Sequence, residues 1–360
     1  LSRGLGDVYK RQGDIYYTTD GSDPSESDTS IKYDGEIKVA DRSGDANIVS
    51  AVSPTLFCTN FSDYSKDDGL ICHIDAPSDD AVDKCTVIRA AAKDSAGNWS
   101  AVTTQTYFIG STTDHIDGIE AGCKASGSDL AVISITMDYD DLFDSGKGIY
   151  VKGDVFDNAL KKFIGNKNWI KADDTRKLDA NYSQRGREWE REAHIDFFEM
   201  NENGAEQVLN QDCGIRIQGN YSRSDLQKGF RLYARKDYGD NKFRYDIWGD
   251  ELKDKDGNTI DKFKTFVLRA GGNCAFTSKY NDTYWQTLAA GVDCSTKASR
   301  PCVVYLNGEY WGLYVLEEDY SDDYFESHYG VNKDDVIVYK GDAETYSIGS
   351  VSYTHLRAHE

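Results

Sequence analysis

Residues 214–219 read GIRIQG, residues 222–239 read SRSDLQKGFRLYARKDYG, and residues 303–318 read VVYLNGEYWGLYVLEE. In the first string Ile215 and Ile217 alternate with Arg216 and Gln218, which marks a half-buried strand that stops at Gly219. A polar turn over residues 220–224 leads into a second alternating run, Phe230, Leu232 and Ala234, whose first charged residue is Lys228. A glycine-bounded turn followed by a lysine on the next strand can lay backbone N–H groups and one ammonium against phosphate oxygens. Further on, FKTFVLRAGGNC (residues 263–274) reads as another strand, and a helix is predicted over residues 279–290. Asn307-Gly308 between two apolar runs is the strongest short-range hairpin signal. The order over residues 211–347 is thus strand, loop, strand, helix, hairpin.

Working outward, residues 130–153 read LAVISITMDYDDLFDSGKGIYVKG. Residues 130–136 form an apolar strand, Asp138 is placed to cap a short helical turn, and residues 146–148 return the chain into another strand. Residues 154–181 are charged and lack a clear period, so a loop is expected there. GREWEREAHIDFFE (residues 186–199) follows, with Ala193, Ile195 and Phe197 alternating against His194, Asp196 and Phe198 as a further strand. Residues 13–110 open with IYYTTDGSDPS and close with VIRAAAKDSAGNWSAVTTQTYFI, short strands parted by turns at Asp20-Gly21 and at residues 95–98. That spacing predicts a small antiparallel sandwich. About thirty residues between Ser53 and Lys84 are an insertion, and connections of that length are usually functional or mobile. The fold class expected is α+β and β-rich, built of this module, a β-rich segment over residues 111–210, and the unit over 211–347.

The chain has 360 residues and a net charge of −21. Nucleic acid and anionic membrane are poor partners for that balance, because phosphate backbones are gripped by clustered Lys and Arg. No apolar run approaches the ~20 residues of a membrane span. The eight cysteines have no C-x-x-C spacing, which argues against zinc. They read either as buried thiols or as a few disulfides, with Cys58 paired to Cys72 or Cys85, and Cys274 to Cys294, the first to test. KDKDGNTIDKF (residues 253–263) imitates a calcium loop, but counting from Asp254 its glycine stands at position four instead of six, so it reads as a hairpin turn. MDYDDLFD (residues 137–144) is explained by helix capping. Residues 1–12 and 351–360 fit nothing beside them and read as processing scars, including the helical-metal imitation made by His355, His359 and Glu360.

The strings at 214–219, 222–239 and 303–318 together resemble the ATP-binding lobe of the CotH family of secreted and spore-coat protein kinases. Residues 130–153 and 186–199 resemble the stretch that precedes it in multidomain members. Residues 13–110 resemble the chitobiase/β-hexosaminidase C-terminal-type domain, a fibronectin-like accessory module. The resemblance implies transfer of the ATP γ-phosphoryl group to protein Ser or Thr with Mg²⁺ or Mn²⁺, in a secreted or cell-surface bacterial protein. Mapped residue by residue, it implies a phosphate-facing turn of Gly219, Ser222 and Arg223, with Lys228 on the nucleotide. Asp282, the one carboxylate within the expected helix, becomes the partner of that lysine, and Leu316 and Glu317 line the adenine and ribose. No catalytic or metal-binding residue is assigned, since the family's carboxylates for those roles match nothing here; the lobe carrying them is expected downstream and this piece is expected to be inactive. The competing reading is a non-catalytic surface protein whose first module, through Tyr16, Tyr17, Tyr33 and Trp99, holds polysaccharide.

Overall fold

The computed structural model describes residues 13–109, 114–201, 203–249 and 252–338. The readings placed on residues 1–12 and 351–360 lie outside them. Contacts divide the chain into two compact units: the described parts of Leu1–Gln211, Ser224–Gln227 and Val303–Leu313, and those of Asp212–Arg223, Lys228–Cys302 and Tyr314–Glu360. The protein is β-rich with few helices, an α+β chain of several antiparallel sheets.

In the first unit a four-stranded antiparallel sheet runs in the order Ile31–Lys32, Asp14–Thr18, Thr86–Lys93, Thr103–Tyr107. The turn between its last two strands is closed by Asp94, whose carboxylate accepts the N–H groups of Ala96 and Asn98. Strand Leu130–Thr136 pairs antiparallel with Arg191–Asn201 in the register Ile133 to Phe197. Residues 193–200 of the latter are all buried, so the alternation read in the sequence does not divide a wet face from a dry one. Asp138 caps Tyr139–Phe143 through the N–H groups of Asp140 and Asp141. A core of Cys85, Val132, Phe198, Met200, Val303 and Tyr305 gathers around these strands, with Phe108 edge-on to Phe198 and Tyr305.

Two expectations for this unit are corrected. Residues 149–151 are buried but form no strand; the N–H groups of Ile149 and Tyr150 reach the Asp141 and Leu142 carbonyls, and Lys152 N–H reaches Leu56 O at 2.9 Å. The stretch read as a loop begins with a helix, Gly153–Ile164, then a short strand, Trp169–Ile170, and a helical turn, Ala172–Thr175. Phe156 and Leu160, one turn apart, are its buried stripe, and Lys161 and Lys162 sit favourably at its C-terminal end. The insertion is ordered too. Ser53 caps Pro54–Phe57, and the hairpin Ser62–Ser65 with Gly69–Cys72 takes Trp169–Ile170 as a third strand.

In the second unit, residues 214–218 pair with Gly229–Tyr233, which pairs with Thr265–Arg269, which pairs with residues 315–317. Ile215, Phe230, Leu232, Phe266, Leu268 and Leu316 point into its core, each fully buried. The string at 253–263 is a hairpin turn in which Asp254 accepts the N–H groups of Asp256 and Asn258, and it leads into the small ladder Phe243–Arg244 with Lys262–Phe263. The predicted helix is Asn281–Ala289. None of its residues is buried, and Tyr284, Trp285 and Leu288 are more than half exposed. Helix Asp322–Tyr329 follows, capped by Ser321 and ended by Gly330 at φ +65°. None of the eight cysteines is joined to another by a disulfide.

Candidate functional site

The turn after Gln218 needs glycine twice over: Gly219 has φ +121°, and a Cβ there would sit 2.4 Å from Ser222 Oγ. The chain then makes a 3₁₀ turn, Tyr221–Ser224. Arg223 Nε donates to Gly219 O at 2.7 Å, and Lys228 Nζ donates to Arg223 O at 2.6 Å. The four residues expected to form the phosphate turn are therefore brought together. Their cations face inward: Lys228 is fully buried, Arg223 is 7% exposed, and Tyr314 Oη donates to the Lys228 carbonyl at 2.9 Å. In this conformation the ammonium and guanidinium hold the turn shut, and a phosphate would have to displace main-chain carbonyls to reach them.

Asp282 lies in the first turn of its helix, where a carboxylate interacts favourably with the helix dipole. Its partner is Arg269, not Lys228: Nη1 of Arg269 is 3.2 Å from Asp282 Oδ2. Arg269 ends strand Thr265–Arg269 and also stands 3.7 Å from Glu317 Oε1, while Glu317 Oε2 is 2.9 Å from Lys297 Nζ. Carboxylate, guanidinium, carboxylate and ammonium thus alternate along one line. Glu317 and Lys297 are nearly buried; Arg269 and Asp282 open to solvent. Sheet register builds the line, because Arg269 lies opposite Val315, two residues from Glu317. Gly272, at φ +56°, lets the following loop pass over the guanidinium, since a Cβ there would come 2.9 Å from Arg269 Nη2.

Leu316 and Val315 are core residues paired in the sheet, so neither offers a wall to a ligand in this conformation. Glu318, beside Glu317, accepts Ala298 N–H at 2.9 Å and contacts His328 Nε2 at 2.8 Å, with His328 stacked on Tyr324. Tyr320 and Tyr324 donate to the carbonyls of Ser295 and Thr296, which fixes the segment carrying Lys297. The sequence had one usable sign of Arg269, a cation closing the apolar run TFVLR before Gly271-Gly272. For Lys297, in a polar connection, it had none.

A cation on a strand, locked to a carboxylate on the helix that follows, is the arrangement by which kinase-type lobes hold a phosphate-contacting side chain. Residues 215–357 match the family model described as CotH kinase protein. This is a CotH-like protein. Residues 9–107 match a second model, described as Fn3 associated, so an Fn3-associated domain precedes the CotH match. No curated protein and no solved structure matches the chain. In this CotH-like protein Arg269, Asp282, Lys297 and Glu317 all fall within the kinase-family match, as do Gly219, Ser222, Arg223, Lys228 and Leu316. Among the described residues no group of three or more His, Cys, Asp or Glu side chains could hold a metal ion, and no helix is long and apolar enough to cross a membrane.

Proposed function

We propose that this chain carries the nucleotide-handling part of a CotH-type protein kinase, which passes the γ-phosphoryl group of ATP to Ser or Thr of a protein substrate, and that it works outside the cell or at its surface. The observation that carries the reading is the Arg269–Asp282 pair, joined to Glu317 and Lys297, inside the family match. Arg269 suits a phosphate: its Nε is buried with no hydrogen-bond partner, and a guanidinium gives forked, charge-assisted bonds to phosphate oxygens. Lys297 supplies a second positive charge, and Glu317 sets the distance between the two.

A divalent ion, Mg²⁺ or Mn²⁺, would neutralise phosphate charge in such a reaction. The described carboxylates do not converge on a place for one. Gly219, Ser222, Arg223 and Lys228 remain proposed phosphate contacts on the condition that the turn opens; in their closed form they are the scaffold of the sheet edge. The polysaccharide reading gains nothing from Trp99, whose ring already packs on Tyr16 at 5.3 Å and under Lys93 at 5.0 Å.

Titration of the whole chain with ATP and Mg²⁺, followed calorimetrically, tests the proposal. Saturable binding is expected, and Arg269→Ala or Lys297→Ala should weaken it about tenfold or more, in line with losing a charge-assisted bond. Binding that both substitutions leave intact, or no binding at all, would refute the assignment of these two cations.

A further inference from the structure

A cavity of about 360 Å³ opens within the first unit. Its floor is apolar: Val49, Val52, Phe57 and Val82 are each at most 8% exposed. One wall is Tyr310 and Trp311. Another is residues 74–77, from the insertion between Ser53 and Lys84.

The Trp311 wall is held in place before any ligand arrives. Its Nε1 donates to Tyr150 Oη at 3.2 Å, Tyr150 Oη donates to Leu226 O at 2.8 Å, and the two rings pack edge to face at 5.5 Å. Gln227 Nε2 reaches the Trp311 and Leu313 carbonyls at 3.2 and 3.3 Å, bracing the same strand. A concave, mostly apolar site with rigid aromatic walls is the usual form of a small-molecule pocket.

The charge of the lining narrows the ligand. No Lys, Arg or His is among the described residues that line it, and Asp75 is its one charged side chain. With the chain at −21, an anion is repelled both locally and at long range. Indole and phenol faces beside a carboxylate attract a cation. At interior packing density the space holds roughly a dozen non-hydrogen atoms, too few for a peptide stretch.

We propose that this cavity binds a small cationic amphiphile, an aryl- or alkylammonium compound whose apolar body lies against Trp311, Tyr310 and the valine floor and whose ammonium faces Asp75. The site is independent of the nucleotide reading. Three probes of one shape test it on the whole chain: 3-phenylpropylammonium, 3-phenylpropan-1-ol and 3-phenylpropanoate, each titrated by calorimetry and by tryptophan fluorescence.

The ammonium should bind saturably and about threefold tighter than the alcohol, the size of an exposed ion pair, and the carboxylate more weakly than either. Asp75→Asn should bring the ammonium down to the alcohol, and Trp311→Phe should weaken both. Asp75 is exposed, so its substitution leaves folding intact and decides the matter even if the Trp311 variant is unstable. Absence of saturable binding by all three, equal binding of ammonium and carboxylate, or a preference that survives Asp75→Asn would each overturn the proposal.

Discussion

Replacing Lys152 with methionine is expected to stabilise the protein at pH 7 by about 3 kcal/mol. The side chain is 6% exposed, its Nζ has no hydrogen-bond partner, and the nearest compensation is the Phe156 ring at 5.4 Å. Burial is the first cause that pushes this amine down, from 10.5 to about 8, against a partial lift from Cys58, Cys72 and Asp157. The folded value lies below the unfolded one, so between pH 8 and 10.5 the unfolded chain holds a proton that the folded chain lacks. Stability of the unsubstituted protein therefore rises with pH across that window. Methionine keeps the stem packed and carries no charge, so its advantage should be full at pH 7 and fade toward zero above about pH 10.5. Urea unfolding of both proteins at pH 7 and about pH 10 reads this directly. A destabilised variant, or a gain that does not depend on pH, would mean the amine is compensated in the fold after all.

Lys228, also buried, should behave in the opposite way. Lys228→Met is expected to destabilise by about 3 kcal/mol, because Lys228 Nζ donates to the Arg223 carbonyl inside the protein and methionine leaves that acceptor without its donor. The Arg223 carbonyl belongs to the turn that Gly219 and the 3₁₀ segment shape, so unravelling should begin there. A fall in the urea midpoint with the slope unchanged is the signature of lost stability without a change in the unfolded chain. Unaltered stability would sink this reading and return Lys228 to the role of an available phosphate ligand. The result also governs how a nucleotide experiment is read: weaker ATP binding in a Lys228 variant counts only if measured where the variant is folded, and the same control applies to Arg269 and Lys297, whose shared partner Glu317 is itself buried.

Much of the architecture could be read from periodicity. Leu130–Thr136 appears with the bounds its apolar run suggested, and Asn307-Gly308 turns with both residues at positive φ, +48° and +83°, as the dipeptide demands. The helix Gly153–Ile164 escaped because Asp154, Asp157, Asn158, Lys161 and Lys162 dominate its composition, although Phe156, Leu160 and Ile164 stand at four-residue spacing. For the candidate site, the pairing expected from the sequence is not the one the structure makes. Lys228 and Asp282 each looked like half of an ion pair, yet Asp282 meets Arg269. Which cation faces which carboxylate depends on the register of strands far apart in sequence, and no local pattern encodes that. Burial of Lys228 was hidden for the same reason: a strand lysine looks solvated until the covering elements are known.

The Asn307-Gly308 turn has a chemical corollary. Asparagine before glycine is the dipeptide most prone to deamidate, since the next backbone nitrogen can swing round to attack the side-chain carbon. Here that carbon is pinned from both sides: Asn307 Oδ1 accepts Met137 N–H and Nδ2 donates to Met137 O, each at 2.9 Å. The folded chain should thus resist ageing at this amide, and an acidic isoform arising there would record how long the molecule had lain open.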